Sequence, residues 1–167
     1  ANWRRFSMLG LLGIGLYNSL QYLALQTSTP INVTLVASGL PVWMLLVGSL
    51  FFGVKVRGRQ LGGAVLSIAG VLIVLSRGEW SELLALRLVA GDLYMILATI
   101  AWSFYSWLLM QPGDPAHIRA DWAAFILAQV IYGVLWSGVF TGIEIAAGSA
   151  PVAWSWTVVA GLLFVAI

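Results

Sequence analysis

The sequence predicts an all-α fold, a polytopic transmembrane helical bundle with six helices in this chain. Three observations predict it. Residues 6 to 54 contain no Asp, Glu, Lys, Arg or His, and as one helix that run would extend roughly 74 Å at ~1.5 Å per residue, over twice a bilayer core of about 30 Å. Composition agrees: 61% of the residues are hydrophobic, only 8% are charged, and the mean hydropathy is +0.98, whereas a soluble domain needs far more surface charge. Finally, charges and turn residues divide the chain into apolar segments at about 6–26, 30–53, 60–76, 91–111, 122–146 and 153–167, each near the ~20 residues that a span requires.

The first two segments form a hairpin, because Leu25-Gln26-Thr27-Ser28-Thr29-Pro30-Ile31-Asn32 interrupts the apolar run with capping hydroxyls and a proline suited to a first helical turn. The third is short, Gln60 to Ser76, and snorkelling Arg59 and Arg77 at its ends lengthen its reach. Between Arg77 and Ala90 lies the longest loop, where Glu79 and Glu82 balance Arg77 and Arg87. Trp80 with Leu83, Leu84, Leu86 and Leu88 there reads as a short helical connector on the membrane surface. The fourth and fifth segments are separated by a turn containing Pro112, Pro115 and His117, the latter read as a solvated residue beside Asp114 and Arg119. The sixth stops at Ile167 within an apolar run, and Ala1 is not an initiator Met, so the chain reads as an internal piece of a longer membrane protein.

Charge fixes the expected orientation. Arg4 and Arg5, then Lys55, Arg57 and Arg59, then Arg119 fall on one side, against Arg77 and Arg87 on the other, which places the first group in the cytoplasm. Eight Lys and Arg and six Asp and Glu sit in short loops rather than along one helix, so nucleic acid is not an expected partner. With no Cys and a single His, no metal site or cofactor is expected.

Leu9-Gly10-Leu11-Leu12-Gly13-Ile14-Gly15 and Ala160-Gly161-Leu162-Leu163-Phe164-Val165-Ala166 share their placement of small residues. The match is short, and chance is its alternative. As a repeat it relates two helices five spans apart, hence oppositely directed, and implies ten helices in two inverted five-helix repeats.

Tyr17-Asn18-Ser19-Leu20-Gln21-Tyr22-Leu23-Ala24-Leu25, Pro30, Pro41, Lys55-Val56-Arg57-Gly58-Arg59-Gln60-Leu61-Gly62-Gly63 and Ala69-Gly70-Val71-Leu72 resemble the latter part of an EamA repeat of the drug/metabolite transporter superfamily. Gly91-Asp92-Leu93-Tyr94 through Ala101-Trp102-Ser103-Phe104-Tyr105 resembles the opening of the second repeat. The resemblance divides the chain into the latter part of one repeat at 1–76, an extracytoplasmic loop at 77–90 and the first part of a second repeat at 91–167. Val54 stands where many members place a Glu, which puts any role of that Glu in doubt here. The resemblance implies a ten-helix bacterial inner-membrane carrier, a YddG-like exporter of amino acids or other small metabolites.

Read residue by residue, the six segments hold no ionisable group well inside them, so no carboxylate proton relay is visible. Polar and aromatic side chains do cluster, which suits a cavity for an amphipathic solute: π-faces for its apolar part and fixed donors and acceptors for its orientation. Tyr17, Asn18 and Gln21 share a face of the first helix. On the second, Thr34, Ser38, Pro41 and Leu45 recur at helical spacing with Trp43 offset; on the fourth, Thr99, Trp102, Ser103, Tyr105 and Ser106 gather near mid-depth; on the fifth, Gln129, Tyr132, Gly133 and Trp136 form a stripe. The residues expected to contact substrate are Tyr17, Asn18, Gln21, Ser38, Trp43, Trp102 and Tyr105, with Pro41 as hinge.

Each assignment has a plainer alternative. Trp3, Trp80, Trp122, Trp154 and Trp156 read as interface anchors. Trp102 and Tyr105 lie too deep for that and either line a cavity or pack between helices, while Asn18 and Gln21 also suit interhelical bonds worth ~0.6 kcal/mol each. Pro41 is a kink or a hinge. Gly10, Gly13, Gly15, Gly62, Gly63, Ser67 and Gly70, and the Gly138/Gly142 pair, read as close helix packing, the last pair alternatively as a dimer contact.

The expected function is transport of small amphipathic metabolites, amino acids foremost, by alternating access, with the bilayer as the other partner. An enzyme is not expected, since no nucleophile with a base or paired acids lies at membrane depth. The alternatives are a drug or nucleotide-sugar carrier, the latter requiring basic groups that these spans lack, and a non-transporting scaffold or channel.

Overall fold

The computed structural model describes residues 3–75, 89–112, 121–148 and 154–166. The expected surface connector around Trp80 and the solvated turn at His117 lie outside the described residues, as do Arg77, Arg87 and Arg119. Within them the chain forms six helices: α1 Trp3–Thr27, α2 Pro30–Phe51, α3 Gly58–Leu75, α4 Ala90–Met110, α5 Trp122–Ala146 and α6 Trp156–Ala166. Helices α1, α2, α4 and α5, of 25, 22, 21 and 25 residues, are long and apolar enough to cross a membrane. This is a multi-pass membrane protein. The two shorter helices have 18 residues in α3 and 11 in α6.

The α1–α2 turn forms where hydroxyls and proline called for it. Thr29 is extended and its Oγ1 accepts the Asn32 N–H at 3.2 Å, while Pro30 opens α2 at a position whose N–H would have no helical acceptor. Both long helices of this hairpin carry an irregularity. In α1, residues Leu11–Leu16 wind as a π-helix. The Asn18 side chain donates from Nδ2 to the Ile14 carbonyl at 2.8 Å, the acceptor that its own N–H would use in a regular α-turn. In α2 the helix breaks at Gly39, and Pro41 is the second residue of the resumed helix Leu40–Phe51.

Helix α4 is the centre of the bundle, packed against α1 and α2. It runs antiparallel to α1, since Gly91 meets Ala24, Thr27 and Ser28 at one end, while Arg5 donates to the carbonyls of Leu108 and Gln111 at 2.9 and 2.7 Å at the other. A guanidinium there satisfies carbonyls left over at a helix C-terminus and complements its partial negative charge. Helix α5 lies on another side of α1 and runs parallel to it: Phe125 meets Phe6 edge-on at 5.7 Å, and farther along Trp136 donates to the Ser7 carbonyl at 3.2 Å. The buried centre is Ala24, Val33, Met95 and Ala98, with Tyr17, Leu20, Val36 and Ala37 packed around it. In lipid such contact comes from van der Waals packing of small side chains, because burial against a neighbour removes no water.

The small residues divide into two groups. A Cβ at Gly13 would stand 2.7 Å from the Tyr105 ring, and one at Gly48 would stand 2.6 Å from Trp107, so both glycines are seats for aromatic rings of α4. Gly62, Gly63, Gly70, Gly138 and Gly142 have nothing within 4 Å. The close packing expected at these five thus has no partner among the described residues.

Candidate functional site

Three helices meet in an aromatic and amide cluster near mid-depth. Tyr17 of α1 lies with its ring centroid 4.8 Å from that of Trp102 on α4, tilted by 50°, and Trp102 lies 5.1 Å from Tyr105, tilted by 46°. The Tyr105 hydroxyl then donates to Gln129 Oε1 on α5 at 3.0 Å. Gln129 is 5% exposed, so its amide is oriented by a fixed partner rather than by solvent. Sequence places these groups: Gly13 clears room for the Tyr105 ring, and the three-residue spacing of Trp102 and Tyr105 puts both on one face of α4. The set offers adjacent π-faces beside an anchored amide, which suits a solute with an apolar body and a polar end.

A second feature lies farther along α1. A cavity of about 500 Å³ lies between the latter halves of α1 and α5, and its polar lining is Asn18, Ser19, Tyr22, Gln26, Ser137, Thr141 and Glu144. Pockets for small molecules fall in a range of roughly 300–1,000 Å³.

At the same end of the bundle sits a buried carboxylate. Asp92, 2% exposed, accepts the Ser28 hydroxyl through Oδ1 and the Val89 N–H through Oδ2 at 2.9 Å. The Val89 bond closes the first turn of α4, where a carboxylate also complements the helix dipole. The Ser28 bond ties that turn to the α1–α2 connection.

The expected contact residues thus fall into three places. Tyr17, Trp102 and Tyr105 come together. Asn18 faces the α1–α5 cavity, and Gln21, partly buried, is not among the residues lining it. Ser38 and Trp43 remain on α2 beside its break, where the Ser38 hydroxyl donates to the Leu35 carbonyl at 2.6 Å. Trp107, which donates to the Met44 carbonyl at 2.8 Å, joins α4 to α2. Three residues of the site regions were not among the expected contacts. Gln129 stood in a polar stripe that gave no sign of its partner, Asp92 entered only within the Gly91–Tyr94 resemblance, and Glu144 lies in the last turn of α5, not well inside its apolar segment.

The EamA-like transporter family model matches residues 1–76. The matched residues hold α1, α2 and α3. The chain is also 32% identical over 106 residues to an uncharacterized transporter of Archaeoglobus fulgidus, covering 64% of this chain and 36% of that protein. It is 24% identical over 100 residues to the uncharacterized transporter YyaM of Bacillus subtilis, covering 60% of this chain and 33% of that protein. The matches thus span about a third of the length of these curated relatives. No solved structure matches. The aromatic cluster joins the segment that the family model matches, through Tyr17, to α4 and α5, which lie beyond the matched residues.

Proposed function

We propose that this chain is part of a membrane transporter that moves small amphipathic metabolites, amino acids foremost, by alternating access. The carrying observation is the line Tyr17, Trp102, Tyr105 and Gln129 across three helices. Its π-faces take the apolar side chain of a substrate and its amide orients the polar end, with no covalent step. The EamA-type segment and two relatives named as transporters support the transport class. The finer placement follows the resemblance: a YddG-like exporter of two inverted five-helix repeats, in a bacterial inner membrane, with Arg4, Arg5, Lys55, Arg57 and Arg59 cytoplasmic. Rocking of the two halves engages Pro41 as a hinge, because the adjacent break at Gly39 already interrupts the helical ladder.

Equilibrium binding tests the substrate class. Calorimetric titration of the complete parent protein with a panel of amino acids is expected to show binding of hydrophobic and aromatic ones, weakened at least tenfold by Trp102→Ala, a loss of about 1.4 kcal/mol or more. Binding of none would overturn the amino-acid assignment and turn the search to drugs or nucleotide-linked sugars.

A further inference from the structure

The cavity between α1 and α5 contains one acidic side chain, Glu144, and no Lys, Arg or His among its lining residues. Glu144 lies in the last turn of α5, and Gln26 lies in the last turn of α1, so both stand at the same end of the bundle. Ser19 and Thr141 add hydroxyls, while Leu23 and Phe140 give an apolar wall. A carboxylate in a cleft with low-dielectric walls focuses its field on cations. Hydrogen bonds from an ammonium to a carboxylate are roughly twice as strong as neutral ones, and an aromatic face such as that of Phe140 attracts the same charge.

The chemistry of the cation follows from the rest of the lining. Calcium takes about six to eight oxygen ligands, usually from several carboxylates, and no group of three His, Cys, Asp or Glu occurs among the described residues. One carboxylate beside hydroxyls, two amides and apolar side chains instead fits an organic ammonium.

We infer that the α1–α5 cavity is a recognition site for the ammonium group of a small amine, with Glu144 as its counter-ion and Leu23 and Phe140 against the alkyl part. The site is separate from the aromatic cluster, since Asn18 lines the cavity while the neighbouring Tyr17 ring lies against Trp102. Its place on a substrate's route rests on the transporter reading, but the binding itself does not. On that reading the cavity selects amine-bearing solutes at the outer end of the path.

Calorimetry on the complete parent protein in detergent tests this with two probes of like alkyl character, isopentylamine and isocaproate. Isopentylamine is expected to bind, to lose affinity on the order of tenfold in Glu144→Gln, and to keep near-wild-type affinity in Glu144→Asp. Isocaproate is expected to bind more weakly than the amine. Glu144 is exposed, so both substitutions leave helix packing intact, and circular dichroism verifies it. Absence of amine binding, equal amine affinity in wild type and Glu144→Gln, or equal affinity for the two probes overturns the inference. Amino-acid counterflow separates the two claims: amine binding that depends on Glu144 in a protein with no amino-acid counterflow leaves this site standing and overturns the amino-acid reading of transport.

Discussion

At the scale of single residues, the protein relies on a few polar side chains whose partners are far away in sequence. Ser28 and Asp92 are 64 positions apart, and Tyr105 and Gln129 are 24 apart. Removing the Ser28 hydroxyl leaves a nearly fully buried carboxylate with one donor fewer. Ser28→Ala is therefore expected to destabilise by about 1–3 kcal/mol, above the ~0.6 kcal/mol of an average interhelical bond in a membrane, as measured by reversible unfolding in mixed detergent. Tyr105→Phe keeps the ring on Trp102 but frees Gln129, and a loss of substrate affinity larger than its loss of stability would identify the amide as an orienting group. Neither partnership was legible in the sequence. Asp92 entered the sequence reading only within the resemblance at Gly91–Tyr94, whereas it stands at the third position of α4 and accepts the Val89 N–H, and periodicity reports which face a residue takes without naming what stands opposite. The association of Tyr17 with Trp102 and Tyr105 was partly legible, because aromatic residues at mid-depth have no interfacial explanation.

At the scale of elements, glycine placement decides which helices touch. Gly48→Leu must displace Trp107 and break its bond to the Met44 carbonyl, whereas Gly138→Leu projects into open space. The first is expected to reduce folded yield severalfold and the second to leave it unchanged, as read by size-exclusion chromatography of the detergent-solubilised protein. Sequence alone singled out Gly138 for close packing and passed over Gly48, since a small residue announces that close approach is permitted and not that a partner is present. The hairpin turn was legible because Thr29 and Pro30 have local jobs. The π-helical stretch Leu11–Leu16 was not, because it accompanies packing of this segment against both α4 and α5, contacts that periodicity does not name. Pro41→Ala, with Gly39 retained, is expected to slow transport while preserving substrate affinity, the outcome that distinguishes a hinge from a contact residue.

At the scale of the whole molecule, α4 holds the bundle together by facing α1 and α2 along its length and tying both ends of α1, through Ser28–Asp92 at one end and Arg5–Leu108 at the other. The fold class was legible from hydropathy, because apolar segments of bilayer length leave a chain few alternatives, whereas the central position of α4 emerges only from side chains of three helices meeting it. These 167 residues contain no Cys, so in a parent protein with any other Cys replaced, Val56→Cys is expected to react with an impermeant maleimide only from the cytoplasmic side, and Ser155→Cys only from the opposite side. The measurement that tests the central claim most directly is counterflow, with the complete parent protein in liposomes preloaded with unlabelled amino acid and no ion gradient. Transient accumulation of labelled amino acid by the wild type, abolished by Trp102→Ala in a protein that remains folded, is the predicted result; no accumulation for any amino acid, or equal accumulation by the mutant, would contradict it.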